Sequence, residues 1–261
     1  MHPQIAERIV SVSGVGADDT VLEIGPGTGM LTRALLAKVK RVIAVEADDG
    51  LVPELQETFA QEIAEGRLTL VHEDIRNFEM EEYLGKRVQG AGNTPYSLVA
   101  NIPYYITGEI IRKFLSGKCK PNSMTILVQK EVAERIARLD PKKPKESILS
   151  LSVKAYGTPV YCFTVPRGAF RPAPNVDSAV LSIQNIAENT FKDQEGEDFY
   201  FSVLKTGFAH KRKRLAKNLE DLFPSEVVER VLADSDLPKD VRPEDLPLSK
   251  WMEIVSRFQE I

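Results

Sequence analysis

The run Val21-Leu22-Glu23-Ile24-Gly25-Pro26-Gly27-Thr28-Gly29-Met30-Leu31 is an apolar strand, a glycine-rich turn and the start of a helix. Glycines in such a turn take up positive φ and let backbone approach a ligand closely. A dinucleotide-binding loop has the spacing Gly-x-Gly-x-x-Gly, and Met30 stands where its third glycine would be. A tight turn without a ligand is the plainer alternative for a glycine triplet taken alone. Outward from this turn, short β-branched runs alternate with helical spacing. Residues 20–24, 41–46, 68–72, 97–100, 124–128 and 150–156 read as strands, and 30–38, 49–65 and 106–115 as helices. That alternation predicts an α/β fold, a mostly parallel Rossmann-like sheet covered on both faces, with 179–184 closing its edge antiparallel. Beyond residue 184 the spacing is helical, at 199–219, 225–233 and 248–259, with Pro224, Pro238, Pro243 and Pro247 at the joins. The polar stretch 185–195 marks the expected boundary between a domain over 1–184 and a small all-α domain over 185–261.

The chain has 261 residues, 34 Lys and Arg against 38 Asp and Glu, and 43% hydrophobic residues, the balance of an ordinary globular protein. No apolar run approaches the roughly 20 residues that span a bilayer, and no basic-then-apolar signal peptide opens the chain. No membrane partner is therefore expected. Cys119 and Cys162 stand alone in sequence, so neither a disulfide framework nor a metal site is expected, and a reducing, cytoplasmic setting fits. The net charge of -4 at first argues against a nucleic-acid partner. The charge is segregated, however. Residues 205–219 carry six cations, Lys205, Lys211, Arg212, Lys213, Arg214 and Lys217, and no carboxylate. Taking those six from 34 leaves 28 cations against 38 acids in the rest of the chain. A basic run is often only a solvated face; here Lys211, Arg212, Lys213, Arg214 and Lys217 are the candidate nucleic-acid contacts, reaching phosphates rather than bases. Arg135, Arg138, Lys142, Lys143 and Lys145 form a second cluster.

Two acidic residues follow the glycine turn in strand order. Glu46 ends the second strand, where a carboxylate can accept both hydroxyls of a ribose, and Asp74 follows the third, where it can accept from an exocyclic amine. Alone, either is a solvated strand end or a helix cap. Together they converge at the carboxyl ends of parallel strands, where open α/β sheets bind ligands. Gly25-x-Gly27-x-Gly29 with Glu23 before it, Glu46 and Asp74 resemble the motifs of S-adenosylmethionine (AdoMet) methyltransferases in the same order.

After the fourth strand comes Asn101-Ile102-Pro103-Tyr104-Tyr105, similar to the Asn/Asp-Pro-Pro-Tyr/Phe signature of enzymes that methylate exocyclic amines. The nitrogen of such an amine is a poor nucleophile because its lone pair is delocalised into the ring. Acceptors around its N–H groups, the Asn101 side chain and the Ile102 carbonyl, favour a pyramidal nitrogen with a directed lone pair. Pro103 fixes the turn and brings no N–H of its own. Tyr104 offers a face for an extruded base. A strand-end turn with a packed tyrosine is the plainer alternative.

Asn101 to Tyr105, the run Gln129-Lys130-Glu131-Val132-Ala133-Glu134-Arg135 and the run Phe170-Arg171-Pro172-Ala173-Pro174-Asn175-Val176-Asp177-Ser178-Ala179 resemble the KsgA-type family of small-subunit rRNA adenine dimethyltransferases. The likeness runs from about Ile9 to the C-terminus. It implies an AdoMet-dependent methyltransferase sheet with a small C-terminal helical RNA-recognition domain. It implies Gly25, Gly27, Glu46, Asp74 and Asn101 as AdoMet contacts, and Asn101, Tyr104 and Phe170 as the residues that hold the target adenine. It also implies two adjacent adenines near the 3′ end of the RNA as substrate, a partly assembled ribosomal subunit as partner, and a monomer. Two departures stand out: the given sequence opens Met1-His2-Pro3-Gln4-Ile5, just past the point of the family's Gln-Asn/His-Phe-Leu segment, and residues 139–146 replace its usual Pro-Gly and Tyr-Gly turn. The rival readings are an erythromycin-resistance-type methyltransferase of large-subunit rRNA and a non-catalytic RNA- or DNA-binding relative.

Overall fold

The computed structural model describes residues 2–84, 95–137, 145–187, 190–210 and 213–261. Seven strands form one sheet: β1 (Thr20–Ile24), β2 (Arg41–Glu46), β3 (Leu68–His72), β4 (Ser97–Asn101), β5 (Ser123–Gln129), β6 (Thr158–Val165) and β7 (Ser178–Gln184). Their order across the sheet is β3-β2-β1-β4-β5-β7-β6. The first five run parallel, and β7 lies antiparallel between β5 and β6. The order reverses between β1 and β4, and open α/β sheets bind their ligands at such a switch point. Central strands are buried on both faces, which is why β2 and β4 read as continuous apolar runs rather than as alternations, and β1 does so apart from Glu23.

Helices α1 (Pro3–Val12), α2 (Met30–Leu36), α3 (Leu51–Thr58), α4 (Ala60–Ala64) and α5 (Thr107–Ser116) belong with this sheet. Pro3 starts α1 at a position where a missing N–H costs nothing, and Ala6, Ile9 and Val10 form its buried stripe. In α5 the buried residues Ile110, Ile111, Phe114 and Leu115 follow the same rule. The helix expected over 49–65 is two, because Phe59 leaves helical geometry at φ -115°, ψ 26°.

The strand expected over 150–156 is a helix, α7 (Ile148–Tyr156), preceded by α6 (Lys130–Ala137). The alternation of Leu151, Val153 and Ala155 mimics a strand, but a reciprocal serine cap decides otherwise. The Ser150 N–H donates to Ser147 Oγ at 3.1 Å and the Ser147 N–H donates to Ser150 Oγ at 2.8 Å. The strand lies just beyond, as β6. Among the described residues it pairs only with β7, and such an edge position tolerates its Pro159.

The chain divides into two compact units, Met1–Ala133 with Gly157–Ile186, and Glu134–Tyr156 with Ala187–Ile261. The second therefore takes in a segment that the expected boundary at 184/185 left with the sheet. Buried polar contacts explain the transfer. Glu146 pairs with Lys154 at 2.9 Å and accepts from the Ser150 hydroxyl at 2.7 Å, and its own N–H donates to the Glu244 carbonyl at 2.7 Å. The Tyr156 hydroxyl donates to Glu197 at 2.6 Å.

The rest of the second unit is helical: α8 (Gln194–Gly207), α9 (Leu215–Leu219), α10 (Ser225–Asp234) and α11 (Leu248–Gln259). The single helix expected over 199–219 is broken after Gly207. Asn218, fully buried, donates through Nδ2 to the Gly207 carbonyl at 2.6 Å and to the His210 carbonyl at 3.2 Å, taking up acceptors that a continuing helix would have used. A side chain at Gly207 would collide with the Trp251 ring.

Candidate active site

The glycine turn needs three left-handed residues in alternation, with φ of 65° at Gly25, 58° at Gly27 and 76° at Gly29. Residues with a Cβ rarely adopt that geometry. Gly29 also lies against Phe59, whose ring occupies the space that a Cβ would need. The Gly25 N–H donates to the Val45 carbonyl at 2.9 Å, tying the turn to the end of β2.

Glu46 completes that tie. Its Oε2 accepts from the Gly27 N–H at 3.0 Å, and its Oε1 accepts from the N–H groups of Ala47 and Asp48 at 2.9 and 3.0 Å. A carboxylate has about four acceptor positions, so one remains, on Oε2. Glu46 is thus built to hold the loop and to accept one further donor. Glu23, one strand over, is fully buried. Burial pushes its pKa up to about 8, reinforced by the nearby Glu46 charge and only partly opposed by hydrogen bonding from Thr32.

Asp74 follows β3 in a turn closed by the Asn77 N–H donating to its carbonyl at 2.8 Å. Its carboxylate accepts from the Arg76 N–H at 2.9 Å and from Arg76 Nε and Nη2 at 3.0 and 2.5 Å. Hydrogen bonds from Arg76 hold the Asp74 carboxyl down at about 2. Ile24, Gly25, Glu46, Asp74, Arg76 and Tyr105 are among the residues lining one cavity of about 110 Å³ at this end of the sheet.

Asn101 is the last residue of β4, and its carbonyl lies 3.9 Å from where a Cβ on Gly25 would be. The side chain is partly exposed and, among the described residues, makes no hydrogen bond. Ile102 is buried and anchors the turn, while Pro103 at φ -59°, ψ 134° leads into a single 3₁₀ turn over Tyr104–Ile106. The Tyr104 hydroxyl bonds to Ser178 Oγ at 2.6 Å. Tyr105 is 88% exposed.

Phe170 is half-buried and packs against the core that contains Phe163 and Val165. The loop after it is pinned by Asp177, whose Oδ1 accepts from the Arg167 N–H at 2.9 Å and whose carbonyl accepts from the Lys130 N–H at 3.0 Å.

The structure therefore brings Gly25, Gly27, Glu46, Asp74 and Asn101 to the carboxyl ends of neighbouring strands. Gly25, Glu46 and Asp74 line the cavity; Asn101, Tyr104 and Phe170 do not. Arg76 and Tyr105 line it without having been singled out by the sequence. Ser178 was visible only as part of a longer run. In the helical unit, Lys211 and Arg212 lie outside the described residues, as do Arg138, Lys142 and Lys143. Lys213 and Arg214 are exposed in the turn before α9 rather than on a helix, and Lys217 pairs with Glu220 at 2.5 Å. Lys145 is ion-paired with Glu244.

Among solved structures, a dimethyladenosine transferase from Plasmodium falciparum superposes with a TM-score of 0.80 at 24% identity, covering 99% of this chain and 96% of that one. The 23S rRNA methyltransferase ErmE gives 0.75 at 23% identity, covering 99% and 98%. At those identities the likeness establishes the fold, a Rossmann-like methyltransferase sheet. Sequence goes further. The ribosomal RNA small subunit methyltransferase A of Fusobacterium nucleatum is 36% identical over 257 residues, 98% of this chain and 92% of that protein. The protein of the same name from Dehalococcoides mccartyi is 38% identical over 256 residues, 97% of this chain and 84% of that protein. The family model described as ribosomal RNA adenine dimethylase matches residues 1–260. Nearly the whole chain is thus accounted for by one family, and it belongs to the ribosomal RNA adenine dimethylases.

Proposed function

We propose that the protein transfers methyl groups from AdoMet to N6 of adenine in small-subunit rRNA. The observation that carries this is the Asn101 side chain, free of hydrogen bonds among the described residues, at the end of β4 beside the glycine turn, in a member of the adenine dimethylase family. The substrate is read as two adjacent adenines of a hairpin near the 3′ end, dimethylated while the subunit is partly assembled. A monomer acting in the cytoplasm fits that reading.

The residues present suit AdoMet. Beside Gly27 the nearest atom to an added Cβ is 4.0 Å away, leaving room along the turn. Glu46 keeps one acceptor position for a ribose hydroxyl. When bound, the cofactor supplies a methyl group on a sulfonium, an electrophile that needs no metal and no covalent enzyme intermediate. The chain's own work is to hold the amine. Asn101 Oδ1 and the Ile102 carbonyl accept its two N–H bonds and draw the nitrogen towards a pyramidal shape, turning its lone pair out of the ring. Tyr104, fixed through its hydroxyl by Ser178, presents a ring on which the extruded base stacks. The proton leaves after transfer, so a strong general base is unnecessary, and catalysis is positioning with electrostatics. Lys213, Arg214 and Lys217 contact phosphates and do not choose the base.

The test is to incubate the protein and AdoMet with undermethylated small subunits and map dimethyladenosine. Two adjacent modified adenines near the 3′ end are expected. Product only on deproteinised large-subunit rRNA would overturn the assignment in favour of the erythromycin-resistance type. AdoMet binding without product on either RNA would favour a non-catalytic RNA-binding role.

A further inference from the structure

We infer that Arg167 and Arg171 form a phosphate clamp beside the adenine site, gripping the RNA backbone that flanks the base to be methylated. The inference rests on the RNA-methylation reading above. It assigns a role to two residues outside the adenine-holding set and outside the basic run of residues 205–219.

The topology of the sheet places them. β7 is antiparallel to both β5 and β6, so β6 runs in the direction of β1–β5 and ends at the edge that carries the glycine turn and Asn101. Val165, its last residue, pairs with Ser178. Ser178 in turn pairs with Gln129 and holds the Tyr104 hydroxyl at 2.6 Å. Arg167 stands two residues beyond Val165, and its N–H donates at 2.9 Å to Asp177, the neighbour of Ser178. Phe170, expected on the other face of the adenine, lies between the two arginines in sequence.

Both guanidinium groups are uncommitted. In the same unit, Arg41 and Arg67 donate to carbonyls and Arg76 to a carboxylate. Arg167 and Arg171 are exposed, and among the described residues neither side chain has a hydrogen bond or an ion pair. Residues 157–176 contain no Asp or Glu, in a chain whose acids outnumber its cations. Their base is stiff: the Ala169 N–H donates to the Pro166 carbonyl at 3.0 Å, and Pro166, Pro172 and Pro174 each fix φ. Arms on such a base lose less freedom on binding. A planar guanidinium offers paired N–H donors that match the oxygens of a phosphate. A base extruded from its stack turns about its own backbone, and cations beside the pocket hold that backbone in the turned position.

The test uses undermethylated small subunits whose RNA ends in a ligated synthetic 3′ segment. That segment carries ordinary linkages, or uncharged methylphosphonates on both sides of the adenine pair. The protein is taken as wild type, as Arg167→Gln with Arg171→Gln, and as Arg167→Lys with Arg171→Lys. On ordinary RNA the Arg→Gln variant should bind roughly three- to tenfold more weakly. Its slope of log K against log salt should fall by about 1.4–1.8, the share of two phosphates. The Arg→Lys variant should regain most of both losses. Methylphosphonates should weaken the wild type by a similar factor and leave the Arg→Gln variant unaffected. Equal loss in those two proteins would put the contact on other phosphates, and unchanged binding of Arg→Gln to ordinary RNA would abolish it; either overturns the inference. So would a loss that Arg→Lys does not regain, because a phosphate accepts from either cation. Affinity for S-adenosylhomocysteine and melting temperature should match the wild type in both variants. A parallel fall in either would mean that the arginines shape the loop rather than hold RNA, and would overturn the inference too. Wild-type protein that neither binds nor methylates small subunits would instead sink the RNA-methylation reading itself.

Discussion

The Tyr104 hydroxyl lies 2.6 Å from Ser178 Oγ, joining the turn that leaves β4 to the first residue of β7, 74 positions later in the chain. Ser178 is fully buried and Tyr104 is not, so the rigid partner fixes the freer one. In the proposed function the hydroxyl orients a ring whose face takes the base.

The variants should separate accordingly. Tyr104→Phe keeps the face and loses the bond, a change of about 0.5–1.5 kcal/mol, and should slow methylation by no more than about tenfold. Tyr104→Ala removes the stacking surface, about 1–3 kcal/mol per base, and should cost markedly more. Single-turnover rates on small subunits decide between them. Equal losses in the two variants would mean that the ring is not a platform.

Stability should depend on pH through Glu23. Its folded pKa, about 8, stands above the ordinary value of 4.5, so between those values the native state holds a proton that the unfolded chain releases. The unfolded state then binds fewer protons, and stability falls as pH rises from about 4.5 to 8 before levelling off. The full effect is on the order of 5 kcal/mol. Urea midpoints measured from pH 5 to 9 should slope downward in the wild type and flatten in Glu23→Gln. The slope, rather than the absolute midpoint, is the readout, since an amide at that site brings unpaired donors of its own. Parallel slopes would show that Glu23 does not titrate as its burial requires.

Gly29→Ala tests the glycine turn. The substitution adds about 1–2 kcal/mol of left-handed backbone strain to an overlap with Phe59 worth about 1–3 kcal/mol. A fall in melting temperature is expected, partly reversed by Phe59→Leu, which trims the colliding ring. Without such recovery, Phe59 would not be what excludes a side chain there.

For RNA, replacing both Lys213 and Arg214 with Ala should weaken binding to all sequences alike. Every phosphate left without its cation lowers the steepness of log K against log salt by about 0.7–0.9. Filter binding between 50 and 200 mM salt (both roughly chosen to span the steep range) provides the measurement. A change confined to one RNA sequence would mean that these residues read bases.

How far the sequence reaches can be seen residue by residue. The central strands that lead to the site are largely buried, and their mainly apolar runs, ended by Gly25, Glu46 and Asn101, are legible without a structure. The strand expected over 150–156 misled because Leu151, Val153 and Ala155 alternate by chance of helix burial, while the deciding signal is the hydrogen bonding of Ser147. The break after Gly207 depends on Trp251 and Asn218, residues 44 and 11 positions away, which no local window contains. At the site, residue types announced the acceptors Glu46 and Asp74 but not how much of each was already committed. That Arg76 pairs with Asp74 is a matter of side-chain reach across a turn, invisible in spacing.

Glu46 draws the N–H groups of residues 27, 47 and 48 onto one side chain. Its consequence is temporal. The loop that would face the cofactor is ordered by the same contacts that join β1 to β2, so it is set when the sheet forms and does not wait for a ligand. Entropy usually lost on closing a glycine-rich loop around its guest has already been lost in folding. A carboxylate expected to touch a sugar is here first a keystone, and any substitution meant to probe recognition at Glu46 will also loosen the arch.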